Sequence, residues 1–391
     1  MTTRVVHWGT GATGAHGLRA IIEHPDLELV GAHVHTPDKV GRDAGELCGM
    51  AATGIIATND LAPTLALAPD CLSYMANGLG READVCRDIV PFLEQGVDVV
   101  TCSLIPFTHP PTAPVELRDV IERACLAGGA SLFNSGIDPG YATGQLAASL
   151  LSFSSEIECI RVQELGNFSR YGARDVMRDV FGFGQAEGFV PPLFTNGMVR
   201  HFWTGTVHEL AGLLSHEIDD IRLVHDVALV DHDVDTAFGM VPAGSIGAVR
   251  FELEGRSRGR VVAVVEHVDR IDPTVAPQWD RAAGTTGTAY KVIVTGRPTF
   301  SCELDFMLTG GFSGAVIATA TFLANAIPAI CAARPGVLSM LDVAPFVGRP
   351  ATVIDLTAEA TRAATPERER LRSGTTRPGA TTDLRAPRGR G

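Results

Sequence analysis

Arg4-Val5-Val6-His7-Trp8-Gly9-Thr10-Gly11-Ala12-Thr13-Gly14 carries a short apolar strand straight into a Gly-x-Gly-x-x-Gly turn. Each glycine has a mechanical job in such a turn. Gly9 allows the sharp reversal, Gly11 lets the backbone approach a pyrophosphate, and Gly14 lets the next helix pack closely on the strand. Thr10, Ala12 and Thr13 complete the cradle, with phosphates resting at a helix N-terminus where free N–H groups and the helix dipole favour negative charge. Leu18, Ile21 and Ile22 continue at helical spacing, and Leu27 to Val34 supplies a second strand. A glycine-rich pattern alone also describes an ordinary turn. The complete β-α-β unit around this one points to a dinucleotide.

Strand and helix patterns keep alternating through residue 140, with strands over 70–75, 98–102 and 131–134 and helices over 83–95 and 114–127. This predicts an α/β fold, a Rossmann doubly wound parallel sheet whose ligands bind beyond the carboxyl ends of the strands. Chemistry is therefore expected in the loops 9–14, 35–42, 75–80, 101–111 and 136–141. Past residue 156 the pattern becomes strand-like at 157–165, 221–230, 247–253, 260–268 and 290–295, with a helix near 207–214 and tight turns such as Glu254-Gly255-Arg256. That predicts a second α+β domain with a mixed or antiparallel sheet. Phe312-Ser313-Gly314-Ala315 opens a small-residue helix running through Ala326, ended by Pro328 and expected to return to the first domain. The scheme is a dinucleotide-binding domain over 1–140 and 312–350, a substrate-binding and oligomerisation domain over 141–311, and an Arg-rich, disordered tail over 358–391.

Bulk properties narrow the partners. A net charge of −13 speaks against nucleic acid or anionic membrane, which need clustered Lys and Arg. No apolar run is expected to reach bilayer-spanning length without polar interruption, and the early first strand predicts no signal peptide. The eight scattered cysteines form no Cys-x-x-Cys pair, which suits reduced thiols in a cytoplasmic protein.

The second strand ends in His35-Thr36-Pro37-Asp38-Lys39. An NAD site usually has an acid here to bond the ribose hydroxyls, whereas a 2′-phosphate prefers basic or hydroxyl groups. His35, Thr36 and Lys39 favour NADP(H) over NAD(H); the third motif glycine leans towards NAD. Met75, Thr101 and Cys102, at the ends of later strands, join the expected cofactor set. No metal is expected. His208-Glu209 and His216-Glu217 lack the one-turn ligand spacing, and Asp231-His232-Asp233 lacks the glycine and final glutamate of a calcium loop.

The runs Gly9 to Gly14, Val30 to His35 and Lys39 to Leu47 resemble the N-terminal domain of dihydrodipicolinate reductases. Ser135-Gly136-Ile137-Asp138-Pro139-Gly140 and Leu323-Ala324-Asn325-Ala326-Ile327-Pro328 are similar to a branch of that family, the 2,4-diaminopentanoate dehydrogenases and native amine dehydrogenases. The resemblance implies NAD(P) dependence, a homodimer, and substrate held between a Rossmann domain and a mixed-sheet domain. Two departures matter. The His-rich segment and catalytic Lys of true dihydrodipicolinate reductases are absent, with Gln163-Glu164-Leu165-Gly166-Asn167-Phe168 standing there. The glutamate that amine dehydrogenases use to handle the ammonia proton is also missing from Thr101-Cys102-Ser103-Leu104-Ile105-Pro106.

A hydride-transfer enzyme must polarise the acceptor atom and move one proton. His109, His267, Tyr171 and Glu164 are the candidates, each with a plain structural alternative in core packing or an arginine pair. Phe181, Phe183, Phe202 and Trp203 suit either an apolar substrate pocket or a core. Three readings follow. The leading one is an NAD(P)-dependent oxidoreductase acting on the carbonyl or imine carbon of a small molecule. An amine dehydrogenase whose proton relay comes from elsewhere is the second, and a non-catalytic NAD(P)-binding sensor the third.

Overall fold

A computed structural model describes residues 2–306 and 311–348, so the stretch 358–391 lies outside the described residues. Strands β1 (Thr3–Trp8), β2 (Leu27–His33), β3 (Cys71–Tyr74), β4 (Asp98–Thr101), β5 (Ser131–Asn134) and the late β14 (Gly336–Leu338) form one sheet. Its order is β14-β5-β4-β3-β1-β2, with every pairing parallel. These strands are short and mostly buried because helices cover both faces. The helices Glu82–Glu94 and Val115–Gly128 cover one face through Ile89, Phe92, Ile121 and Cys125. Ala12–Glu23 and Gly311–Cys331 cover the other, where Ile21, Leu323, Ile327 and Ile330 meet Val5, Val100 and Phe133. The late helix thus returns to the first sheet, as its small residues suggest.

The remaining strands are β6 (Ser155–Asn167), β7 (Asp220–Leu229), β8 (Val234–Thr236), β9 (Gly239–Val241), β10 (Ile246–Ser257), β11 (Arg260–Arg270), β12 (Ala289–Arg297) and β13 (Phe300–Asp305). β8 and β9 form a small hairpin; the others build a mixed sheet of order β13-β12-β6-β11-β10-β7 in which only β6 and β11 run parallel. One face is apolar and packs Val162, Val265, Phe251 and Leu253 under Val207, Leu210 and Ala211 of the helix Met198–Leu213. The other carries Arg161, Arg250 and Glu252. Register matters for the site. His267 stands opposite Glu164, Tyr290 flanks Glu164 on the other side, and Asp269 stands opposite Gly166.

Four expectations need correction. Glu254-Gly255-Arg256 is not a turn but part of β10; the reversal falls at Arg258 and Gly259, both in the left-handed region. Gly255 is glycine because Val207 and Ile218 pack directly over it. Pro328 does not end its helix, which runs on to Cys331 because Ile327 and Ile330 are both fully buried and hold the turn. The helix expected near 207–214 begins at Met198. Finally, Ser313–Cys331 is long and apolar enough to cross a membrane by length and composition, yet it is the helix packed on the first sheet.

Candidate active site

The glycine turn has the shape its spacing predicts. Gly9 takes φ +103°, and a Cβ there would stand 2.7 Å from the Ala76 backbone nitrogen. A Cβ at Gly14 would run into the Gly9 carbonyl, so the helix start is pressed against the turn. Gly11 faces open space, with nothing within 4 Å of where its Cβ would be. The helix it opens has no side-chain cap and no acid in its first turn. Exposed backbone donors, positive dipole and free space together fit a pyrophosphate.

Other expected cofactor residues divide. At the end of β2, Trp8 donates its indole N–H to His35 Nε2 at 3.0 Å. Thr36 is exposed, and Lys39 Nζ reaches back across the turn to donate to the Thr10 carbonyl at 2.8 Å and Thr10 Oγ1 at 3.1 Å. Cys102 lines the cavity described next. Thr101 is buried and accepts from the Ser103 backbone N–H at 2.9 Å, while Met75 is buried with its sulfur against Gly17.

A cavity of about 230 Å³ runs from Thr13 at that helix start to the second sheet, lined among others by Cys102, Asp138, Glu164, Tyr171 and Tyr290. Three groups converge at its floor. His267 Nε2 lies 3.1 Å from Asp138 Oδ2, and His267 Nδ1 lies 3.7 Å from Glu164 Oε1. Trp203 donates its indole N–H to Asp138 Oδ1 at 3.1 Å. The His267 ring is stacked on Phe251 at 4.7 Å and meets Trp203 edge-on at 4.4 Å, which fixes its plane. Tyr290 bonds Glu164. Asp269 is buried beside this group, and neither of its carboxyl oxygens has a hydrogen-bond partner among the described residues.

Burial and charge set the proton affinities. Burial pulls the His267 imidazolium down, but Asp138 first, then Glu164 and Asp269, outweigh it and push its pKa up to about 9. Burial raises Glu164, against the opposing pull of His267, and raises Asp269 well above the usual carboxyl range. The site therefore holds protons at neutral pH next to a cavity, as proton-transfer chemistry requires. Asp138, Glu164 and His267 also form the one group among the described residues whose ligand atoms, all within 4.8 Å of one another, have metal-binding chemistry. Direct charge pairing of a raised imidazolium with two carboxyl groups accounts for their closeness.

Of the four proton-transfer candidates, Glu164 and Tyr171 line the cavity, and His267 stands behind its wall against Glu164 and Asp138. His109 does neither. It is stacked on His208 and bonded to Thr112, and burial followed by His208 lowers its pKa to about 4. Glu164 pairs with His267 rather than with an arginine. Asp138, Asp269 and Tyr290 were not singled out by sequence, although Asp138 lies in the 136–141 loop where chemistry was expected.

Residues 143–358 match the 2,4-diaminopentanoate dehydrogenase C-terminal domain family. Over 350 residues the chain is 36% identical to an amine dehydrogenase of Streptomyces virginiae, covering 88% of this chain and 97% of that protein. It belongs to the amine dehydrogenase and 2,4-diaminopentanoate dehydrogenase family. It is an NAD(P)-dependent oxidoreductase. A 2,4-diaminopentanoate dehydrogenase of Acetoanaerobium sticklandii is 23% identical over 360 residues, covering 87% of this chain and 93% of its own. Among solved structures, an amine dehydrogenase of Mycobacterium smegmatis shares the fold, with a TM-score of 0.69 at 19% identity, covering 90% of this chain and 98% of the other. The loop 101–106 has no carboxylate, and the carboxyl groups that line the cavity are those of Glu164 and Asp138.

Proposed function

We propose that this chain is an NADP(H)-dependent amine dehydrogenase that interconverts a small, largely apolar ketone or aldehyde with the corresponding primary amine. The observation that supports this over plain carbonyl reduction is that Glu164 and Asp138 line a cavity reaching the glycine turn, with His267 set against both of them. Reductive amination joins carbonyl, ammonia, hydride and proton, and releases amine and water. It needs a group that takes the extra proton from ammonium and then protonates the departing hydroxyl.

The nicotinamide supplies the hydride when bound; Gly9, Thr10, Gly11, Ala12, Thr13 and Gly14 would hold its pyrophosphate. Glu164, whose proton affinity burial raises against the pull of His267, accepts the proton from ammonium and returns it to the departing hydroxyl as water leaves. His267 steadies the charge on Glu164, and Asp138 steadies His267. Tyr171 and Tyr290 close the walls, leaving room for only a small substrate.

His35, Thr36 and Lys39 support NADP(H), because no carboxylate ends β2 to repel a 2′-phosphate. The domain scheme that follows is cofactor residues 1–140 with 312–350, and substrate residues 141–311. A cytoplasmic homodimer without membrane or nucleic-acid partners fits the net negative charge and the eight unpaired cysteines. The second sheet's outer face, where Arg161, Arg250 and Glu252 alternate in sign, suits a second copy.

NADPH oxidation measured against a panel of ketones, with and without ammonium, tests the reading. Ammonium-dependent turnover supports it. Turnover independent of ammonium selects carbonyl reduction, and tight coenzyme binding without turnover across the panel selects a sensor.

A further inference from the structure

We infer that Trp8 is a specificity-determining residue for the coenzyme: by donating to His35 it holds that imidazole as a hydrogen-bond donor facing the ribose, which favours a 2′-phosphate over a 2′-hydroxyl. The inference deepens the NADP(H) reading above and rests on it.

The argument is one of hydrogen-bond bookkeeping at a single pair. An indole N–H can only donate, so the nitrogen it bonds must carry a lone pair. Trp8 Nε1 lies 3.0 Å from His35 Nε2, so Nε2 is the unprotonated nitrogen and the ring proton sits on Nδ1. His35 is exposed at the carboxyl end of β2, where this class of fold meets the ribose of its dinucleotide. Its remaining nitrogen therefore offers a donor and no acceptor. A phosphate oxygen can use a donor; a 2′-hydroxyl gains most from an acceptor, the part an acidic residue plays in NAD sites.

Trp8 is in no position to let go. It is 3% exposed and wedged among His33 at 3.7 Å, Tyr74 at 5.3 Å and Phe92 at 6.2 Å. His33 is in turn tied to Thr64 at 3.3 Å. Lys39, four residues on from His35, has two of its three donors committed to Thr10. It clasps the glycine turn, so the discriminating contact falls to His35.

Dissociation constants of NADPH and NADH, read by coenzyme fluorescence on the full chain, test this in Trp8→Phe, His35→Ala and the double variant. Trp8→Phe keeps the aromatic packing and removes the N–H. It is expected to weaken NADPH about tenfold, the order of one hydrogen bond to a charged group, and to change NADH less than about twofold. The double variant is expected to bind NADPH no more weakly than His35→Ala alone, because the two residues act as one unit. Equal weakening of both coenzymes, or losses that add in the double variant, overturns the inference and leaves the NADP(H) reading standing. A wild-type preference for NADH overturns the NADP(H) reading and this inference with it.

Discussion

His267 on β11 places its Nε2 3.1 Å from Asp138 Oδ2 on the loop after β5, so a buried ion pair joins the second sheet to the first. The pair is buried, at 5% and 1% side-chain exposure, and its geometry is held by rings rather than by solvent. Breaking such a pair leaves an uncompensated buried charge, which is the costly way to lose it.

Its pH signature follows from the sign of the shift. The folded-state pKa of His267 is raised from 6.5 to about 9. The stabilisation is therefore fully present below about pH 6.5 and is lost as pH rises through about 9, on the order of 3 kcal/mol in total. Thermal melts of the wild type should fall in midpoint across that window. His267→Gln should flatten the dependence and lower the midpoint at pH 6; a dependence unchanged by the substitution would sink the assignment.

Glu164→Gln removes the carboxyl group in the cavity that both bonds Tyr290 and faces His267. The shape survives and the proton acceptor does not. Ammonium-dependent turnover should drop by about 10²–10⁴-fold, with NADPH affinity changed less than about threefold. Steady-state rates beside a coenzyme titration separate the two effects.

Trp203→Phe keeps the ring against His267 and deletes the N–H that serves Asp138. The stability cost should be about 1–3 kcal/mol, the range for a buried acceptor left unpaired. If Asp138 acts through His267, the alkaline limb of the pH–rate profile moves as well. A stability loss with an unmoved limb would reduce Trp203 to packing.

Glu209, 3% exposed on the helix Met198–Leu213, has no partner for either carboxyl oxygen among the described residues. Burial pushes its pKa up to about 8. Folding therefore keeps a proton that the unfolded chain releases above about pH 4.5, and stability falls as pH rises to about 8. Glu209→Gln should raise the melting midpoint at pH 8 and change it little at pH 5. Equal effects at both pH values would show that the carboxyl group is solvated.

The glycine turn offers a contrast between two positions. Gly14→Ala should destabilise the chain, because a methyl there meets the Gly9 carbonyl. Gly11→Val should melt like the wild type yet lose coenzyme binding, since its side chain would occupy only open space above the helix start. Paired melting and fluorescence titrations distinguish them.

Local pattern carried five of the six strands of the first sheet, the glycine turn and most of the second sheet's strands, because short-range periodicity and backbone sterics are written in adjacent residues; β14 (Gly336–Leu338) was missed. It failed where packing decided. Gly255 reads as a turn but makes room for Val207, and Pro328 reads as a stop inside a helix that buried Ile327 and Ile330 keep going. His109 and His267 looked equally eligible along the chain. Only the pairing of β11 beside β6 and the return of the loop after β5 put one of them between Glu164 and Asp138, and left the other stacked on His208. Those partners lie some hundred residues apart, and no run of neighbouring side chains encodes which of them desolvate each other. Proton affinity is a property of that shared burial, so the chemistry of the site arises with the folded contacts, whereas the dinucleotide cradle is already spelled out in eleven consecutive residues.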